Sequence, residues 1–286
     1  MNYRHAFHAG NFADVIKHLV LVRILTHLHE KPTPFRIIDS HAGAGLYDLT
    51  GDEATRSAEW TTGIARMMQA RFTEAVIPLV APYLDIVRSF NQQNDLNAYP
   101  GSPLIARALM REQDRMVCCE LEPTARKKLI AALRNDEQAR VVDIDGWMGL
   151  PAYVPPKERR GLVLIDPPFE AKDEFTRLAR VFAQAYAKWS TGIYMLWYPA
   201  KSRRATDDLA RDVARAASAS ATPGKCLRLE FSIAPQTVDG PLSSTGLLIV
   251  NPPWKLQDEL RAILPQLEKP LGIGGPARFR LETVKT

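Results

Sequence analysis

From residue 102 to residue 218 the chain alternates short apolar runs with longer stretches of helical spacing. "RMVCCEL" (115–121), "ARVVDID" (139–145), "GLVLID" (161–166) and "GIYMLWYP" (192–199) read as buried strands. Helical patterns accompany them: "SPLIARALMRE" (102–112), "EPTARKKLIAALRND" (122–136), "KDEFTRLARVFAQAYAKW" (172–189) and "RRATDDLARDVARAAS" (203–218). Ser102 reads as an N-cap with Pro103 at the first helical position, and Pro123 opens the next helix. Strands joined through helices require crossovers, and crossovers give a parallel sheet with helices on both faces.

The rest of the chain extends this pattern. "ADVIKHLVLVRILTHLHE" (13–30) predicts one long amphipathic helix, stopped by "KPTP". "FRIID" (35–39) predicts a strand that ends in the glycine loop "SHAGAG". "CLRLEFSIA" (226–234) and "STGLLIV" (244–250) are linked by a short, turn-rich segment, so they pair as an antiparallel hairpin. The expectation is a seven-stranded, mostly parallel, Rossmann-like α/β sheet with an antiparallel last strand. Residues 46–100 break the alternation and predict an inserted helical subdomain, leaving 1–45 and 101–286 as the main domain. The insertion carries four Arg against seven Asp and Glu, so it is not a basic RNA-binding arm.

At 286 residues and 46% hydrophobic, the chain can bury a full core without staples. Its net charge of +5 is compatible with an anionic partner but too weak to establish one. The three cysteines form no C-x-x-C pair and read as reduced core thiols. The six histidines all lie within the first 41 residues. No carboxylate or cysteine joins His5 and His8 at ligand spacing, so no metal is expected. "MNYRHAFHAGNF" has no apolar leader region and no run reaches membrane-spanning length, so a cytoplasmic protein is the expectation.

"DSHAGAG" lets the backbone turn sharply and approach a ligand. It lacks the third glycine of a dinucleotide fingerprint, which counts against NAD. Asp39, Glu120 and Asp145 end three neighbouring strands, where open α/β sheets bind ligands. A carboxylate at Glu120 can accept two ribose hydroxyls, and one at Asp145 can take an adenine amino group. An adenosine cofactor without a phosphate cradle points to S-adenosylmethionine.

The apolar run "LVLI" leads into "DPPF" (166–169). Two prolines fix φ and supply no N–H, so neighbouring carbonyls point outward rigidly. Asp166 with a proline carbonyl offers two acceptors to one exocyclic NH2, and the Phe169 ring can stack on the base. Accepting those hydrogen bonds favours the pyramidal, nucleophilic form of an amine otherwise conjugated with its ring. "NPPW" (251–254) has the same shape. Its strand runs antiparallel, so Asn251 emerges at the opposite edge, ~17–20 Å away. It reads as a structural terminator, with Trp254 packed under the helix "KLQDELRAILPQL".

"YRHAFHAGNFADVIKH", "DSHAGAGLYDL", "YPGSPLIARALMREQD", "RRGLVLIDPPFE", "LWYP" and "VNPPWKL" together resemble the ribosomal RNA large subunit methyltransferase J family, 23S rRNA adenine-N6 methyltransferases. The resemblance covers nearly the whole chain. It implies a class I methyltransferase fold, S-adenosylmethionine as donor and one adenine of 23S rRNA domain V as acceptor. It implies cofactor contacts from His18, His41, Ser102, Glu120, Asp145, Gly146 and Asp166. Asp166 would also be catalytic, and Tyr3, Pro167 and Phe169 would meet the substrate. Where the family typically has Tyr, this chain has Phe169, which keeps the stacking face and loses the hydroxyl.

Without the resemblance, Lys17 and His18 would read as part of a solvated helix face. "KSRR" (201–204) is either an RNA phosphate contact or a solvated helix start, and Trp197 reads as core. No protein partner is evident, and a monomer is the simplest expectation. The rival functions are DNA adenine-N6 methylation and an inactive RNA-binding assembly factor on the same fold.

Overall fold

The computed structural model describes residues 4–92, 95–134, 136–220, 222–235 and 240–285. Tyr3 lies outside them. The chain enters through helix α1 (Phe12–Leu28), strand β1 (Arg36–Asp39) and the short strand β2 (Leu46–Asp48). Helices α2 (Asp52–Ser57), α3 (Glu59–Thr62), α4 (Ile64–Gln69) and α5 (Ile77–Ser89) follow, then strand β3 (Ala98–Pro100). Helix α6 (Ser102–Ala108), β4 (Arg115–Cys119), α7 (Pro123–Leu133), β5 (Ala139–Val142), α8 (Gly146–Tyr153) and β6 (Gly161–Ile165) come next. The chain ends with α9 (Glu174–Lys188), β7 (Ile193–Pro199), α10 (Arg203–Ser218), β8 (Cys226–Ser232), β9 (Ser244–Val250), α11 (Leu256–Leu271) and β10 (Arg278–Thr283).

The main sheet has eight strands in the order β10-β8-β9-β7-β6-β1-β4-β5. β1 pairs in parallel with β4 and β6, and β4–β5 and β6–β7 are also parallel. β9 is antiparallel to both β7 and β8, so the expected hairpin forms, with β9 inside the sheet rather than last in it. The eighth strand, β10, was not expected. It pairs antiparallel with β8 at the sheet edge. Its "RFRLET" mixes charges with apolar residues because an edge strand buries little and resists further pairing through charge.

Alternate strand residues face opposite sides, as a pleated strand requires. Leu162 and Leu164 face the core that contains α1, α5 and α11, while Val163 and Ile165 face the core of α8, α9 and α10. Helix α1 differs from the amphipathic expectation: 15 of its 17 residues are buried, so it has no solvent face. It lies between the sheet and the helices of 52–89, with Arg23 anchoring it to Glu259 of α11 at 2.8 Å. Residues 46–100 are helical as expected, and the antiparallel β2–β3 ladder closes their base. All three cysteines are buried thiols. Among the described residues no helix is long and apolar enough to cross a membrane.

Candidate active site

The parallel strands deliver their C-terminal ends to one edge. After β1, Gly43 and Gly45 adopt φ of +66° and +77°, conformations glycine reaches without strain. The loop folds back so that Gly43 N–H donates to Glu120 Oε2 at 2.7 Å. Glu120 follows β4 directly, and its other oxygen accepts Glu122 N–H at 2.8 Å. Both oxygens are thus oriented by backbone amides and keep lone pairs for ribose hydroxyls. Burial pushes the Glu120 carboxyl above its ordinary range.

Asp145 was expected to end a strand. Instead β5 stops at Val142, and Asp145 caps α8 by accepting Trp147 N–H at 2.9 Å. "GWMGLPAY" conceals that helix because two glycines and a proline interrupt it. The other Asp145 oxygen meets Arg177 at 3.3 Å, and the Arg177 guanidinium lies 5.0 Å from the Trp147 ring centre. The His41 ring stands edge-on to Trp147 at 5.0 Å, and burial lowers its pKa to about 4, so it is neutral. A Cβ on Gly146 would lie 1.8 Å from the Ser40 carbonyl oxygen, so only glycine lets α8 press against the glycine loop.

Ser102 does not cap its helix. Gly101 takes that position, and Ser102 Oγ donates to Asp39 Oδ2 at 2.6 Å. Asp39 is buried, no ion pair reaches it among the described residues, and burial raises its pKa to about 7. His18 is also buried: Nδ1 lies 2.6 Å from the Tyr99 hydroxyl, while Nε2 is buried with no partner. Burial lowers its pKa to about 3, so the ring is neutral.

Asp166 follows β6 on the same edge. Its Oδ2 accepts from Lys17 Nζ at 2.5 Å, and Lys17 also donates to Asp14 Oδ1 at 2.8 Å. Asp14 Oδ2 meets His5 Nε2 and Gly10 N–H, each at 2.9 Å. The Lys17 side chain is only 4% exposed. Burial works against its ammonium, but Asp14 and Asp166 outweigh that and raise its pKa. Lys17 is therefore a fixed cation, and one Asp166 oxygen remains free of it. Pro167 is buried. The Phe169 ring packs edge-on against Phe175 at 4.9 Å and Trp197 at 5.6 Å. Trp197 is half-buried, packed against the core and beside this ring, with Nε1 donating to Thr245 Oγ1 at 2.7 Å.

Residues 32–280 match the family model described as "Ribosomal RNA large subunit methyltransferase D, RlmJ". The chain belongs to this family. It is 40% identical over 271 residues to ribosomal RNA large subunit methyltransferase J of Escherichia coli K12, covering 95% of this chain and 94% of that one. It is 35% identical to the Haemophilus influenzae protein of the same name, over 99% of each. A solved Legionella pneumophila structure superposes with a TM-score of 0.87 at 34% identity, covering 96% of this chain and 98% of that one. The chain is thus a methyltransferase with S-adenosylmethionine as its donor.

The site fits that donor. The partnerless His18 Nε2 and the cation-free Asp39 are buried polar groups that an amino-acid moiety would satisfy. Of the expected residues, His18, His41, Ser102, Glu120, Asp145, Gly146 and Asp166 converge on one sheet edge. Sequence reasoning read Lys17 as solvated and passed over Asp14, Trp147 and Arg177. The signal for Lys17 and Asp14 was an i,i+3 charge pair in a largely apolar helix. His5 and His8 do meet carboxylates, Asp14 and Glu59, which come together only in the fold.

Proposed function

We propose that this methyltransferase transfers a methyl group to N6 of an adenine in 23S rRNA, with Asp166 as the catalytic residue. One observation carries the reading: the Asp166 carboxylate is clamped by a buried lysine at the sheet edge that also presents Glu120 and Asp145. S-adenosylmethionine supplies an electrophilic methyl on a sulfonium when bound. Glu120 takes its ribose hydroxyls, Asp145 and Gly146 its adenine, and Asp39, Ser102, His18 and His41 its amino-acid end. Lys17 locks one Asp166 oxygen, so the other accepts a hydrogen bond from the target NH2. The carbonyl of Pro167 accepts the second. Together they localise the nitrogen lone pair towards the methyl, and the free oxygen of Asp166 takes the proton that N6 releases. Phe169 stacks on the base, which must leave its helix to reach this depth. Tyr3 contacts the substrate from the N-terminus.

Residues 46–100 act as an inserted subdomain, with 1–45 and 101–286 forming the methyltransferase domain. The protein works in the cytoplasm, as a monomer, on free or partly assembled rRNA. A radiolabel assay offering 23S rRNA and DNA side by side tests the substrate. Label in rRNA is expected, and label confined to DNA would overturn the reading. Mass mapping of rRNA from cells lacking the gene would name the adenine by its missing methyl.

A further inference from the structure

Phe169 ends the Pro-Pro turn at φ +50°. That left-handed conformation is disfavoured for a bulky residue and persists only where its surroundings impose it. The constraint comes from Glu174, the first residue of α9, whose Oε2 accepts Phe169 N–H at 3.1 Å. Glu174 is 4% exposed and forms no ion pair among the described residues. A buried carboxyl outside any ion pair is costly, and an apolar side chain would fill the same space without that cost. Burial raises its pKa. One turn further along the same helix, Arg177 reaches Asp145 in the adenine half of the site. The first turn of α9 is therefore tied to both halves.

We propose that Glu174 is a positioning residue for the target base: it fixes the Phe169 backbone so that the ring lies where the adenine stacks. The inference rests on the stacking role given to Phe169 above. What matters at Glu174 is an acceptor oxygen rather than a charge, since the amide of glutamine accepts the same N–H. Methionine fills the space and replaces the carboxylate oxygen with a thioether sulfur, a weak acceptor.

Steady-state methylation of a 23S rRNA fragment by the full chain tests this, with calorimetry of S-adenosylmethionine binding alongside. Glu174→Met is expected to raise the KM for RNA about tenfold, with kcat and cofactor affinity changed less than about twofold. Glu174→Gln is expected to behave as the parent. In a Phe169→Ala background, Glu174→Met should add nothing further, because the ring it positions is gone. An unchanged RNA KM in Glu174→Met, with a raised one in Phe169→Ala, overturns the role of Glu174 and leaves stacking intact. An unchanged KM in Phe169→Ala overturns the stacking role itself. Should Glu174→Met not fold, Glu174→Ala takes its place in the same assay: a raised RNA KM that is absent in Glu174→Gln supports the proposal, and a parental KM overturns it.

Discussion

Asp166 and Asn251 each follow an apolar strand, and each precedes two prolines and an aromatic residue. Asp166 follows β6, parallel to β1, and its carboxylate meets the buried Lys17 at the edge where the parallel strands end. Asn251 ends β9, antiparallel to β7, where Val250 pairs with Tyr194 near the start of that strand. Its amide donates to the carbonyls of Ser190 and Gly192 at 2.8 and 2.7 Å, closing the far edge of the sheet. The left-handed residue also moves: it is Phe169, the fourth of one tetrapeptide, and Asn251, the first of the other, at φ +56°. Asn tolerates that conformation, so the second loop stores little strain. Its aromatic ring does not pack under α11 as expected. Trp254 is 74% exposed, with Lys255 Nζ 4.9 Å from its ring centre. The pair of loops shows that a tetrapeptide specifies a shape, while strand direction specifies what that shape faces.

The largest test of this contrast is Asp166→Ala. Methylation should fall by at least about a hundredfold while the protein stays folded, as removal of a positioned acid–base group costs. Radiolabel transfer at saturating RNA measures it, and activity above a few per cent would put the two loops back on equal terms. Lys17→Met should come next. It removes the buried cation between Asp14, which keeps its contact with His5, and the partly buried Asp166, and that loss costs about 3–5 kcal/mol of stability. Thermal unfolding and the methylation rate should both drop, and a stable, active variant would remove Lys17 from the clamp.

Asp39 makes a prediction in pH. Its pKa of about 7 in the free protein means it is protonated below that value and charged above it. If it faces a cationic amino group, affinity for S-adenosylmethionine should strengthen about tenfold from pH 6 to pH 8. Calorimetry at the two pH values checks this, and Asp39→Asn should flatten the dependence.

Asn251→Ala loses two hydrogen bonds to backbone carbonyls and puts alanine at positive φ, so stability should fall by about 1–3 kcal/mol with kcat/KM unchanged. A loss of activity beyond that explained by unfolding would break the contrast from the other side. Trp254→Ala should be the mildest change, within about 0.5 kcal/mol, because the ring is solvent-exposed. A denaturation midpoint well outside that range would mean the ring packs after all.

Much of the fold was legible because strand and helix patterns repeat in the chain itself. "LVLI" and "MVCC" are apolar on both faces, as buried parallel strands must be. Helix α8 and strand β10 were not legible, since glycines and a proline blur the one and charges dilute the other. Asp145 stands at the shared sheet edge as the cap of α8, whereas Asp39 and Glu120 could be placed there from strand direction alone. The partners that tune them could not. Gly43 lies 77 residues from Glu120, and Asp166 lies 149 residues from Lys17. Lys17 and His18 looked like helix-surface residues, but the fold buries both, against Asp166 and Tyr99.

The sequence by itself determined the doubly wound sheet and the opposite edges at which the two Pro-Pro turns emerge, because periodicity and chain direction are local properties. Only the tertiary structure decided the charge state and aim of the site. Burial sets the neutrality of His18 and His41 and the raised pKa of Asp39, and burial depends on what the remote chain packs against each group.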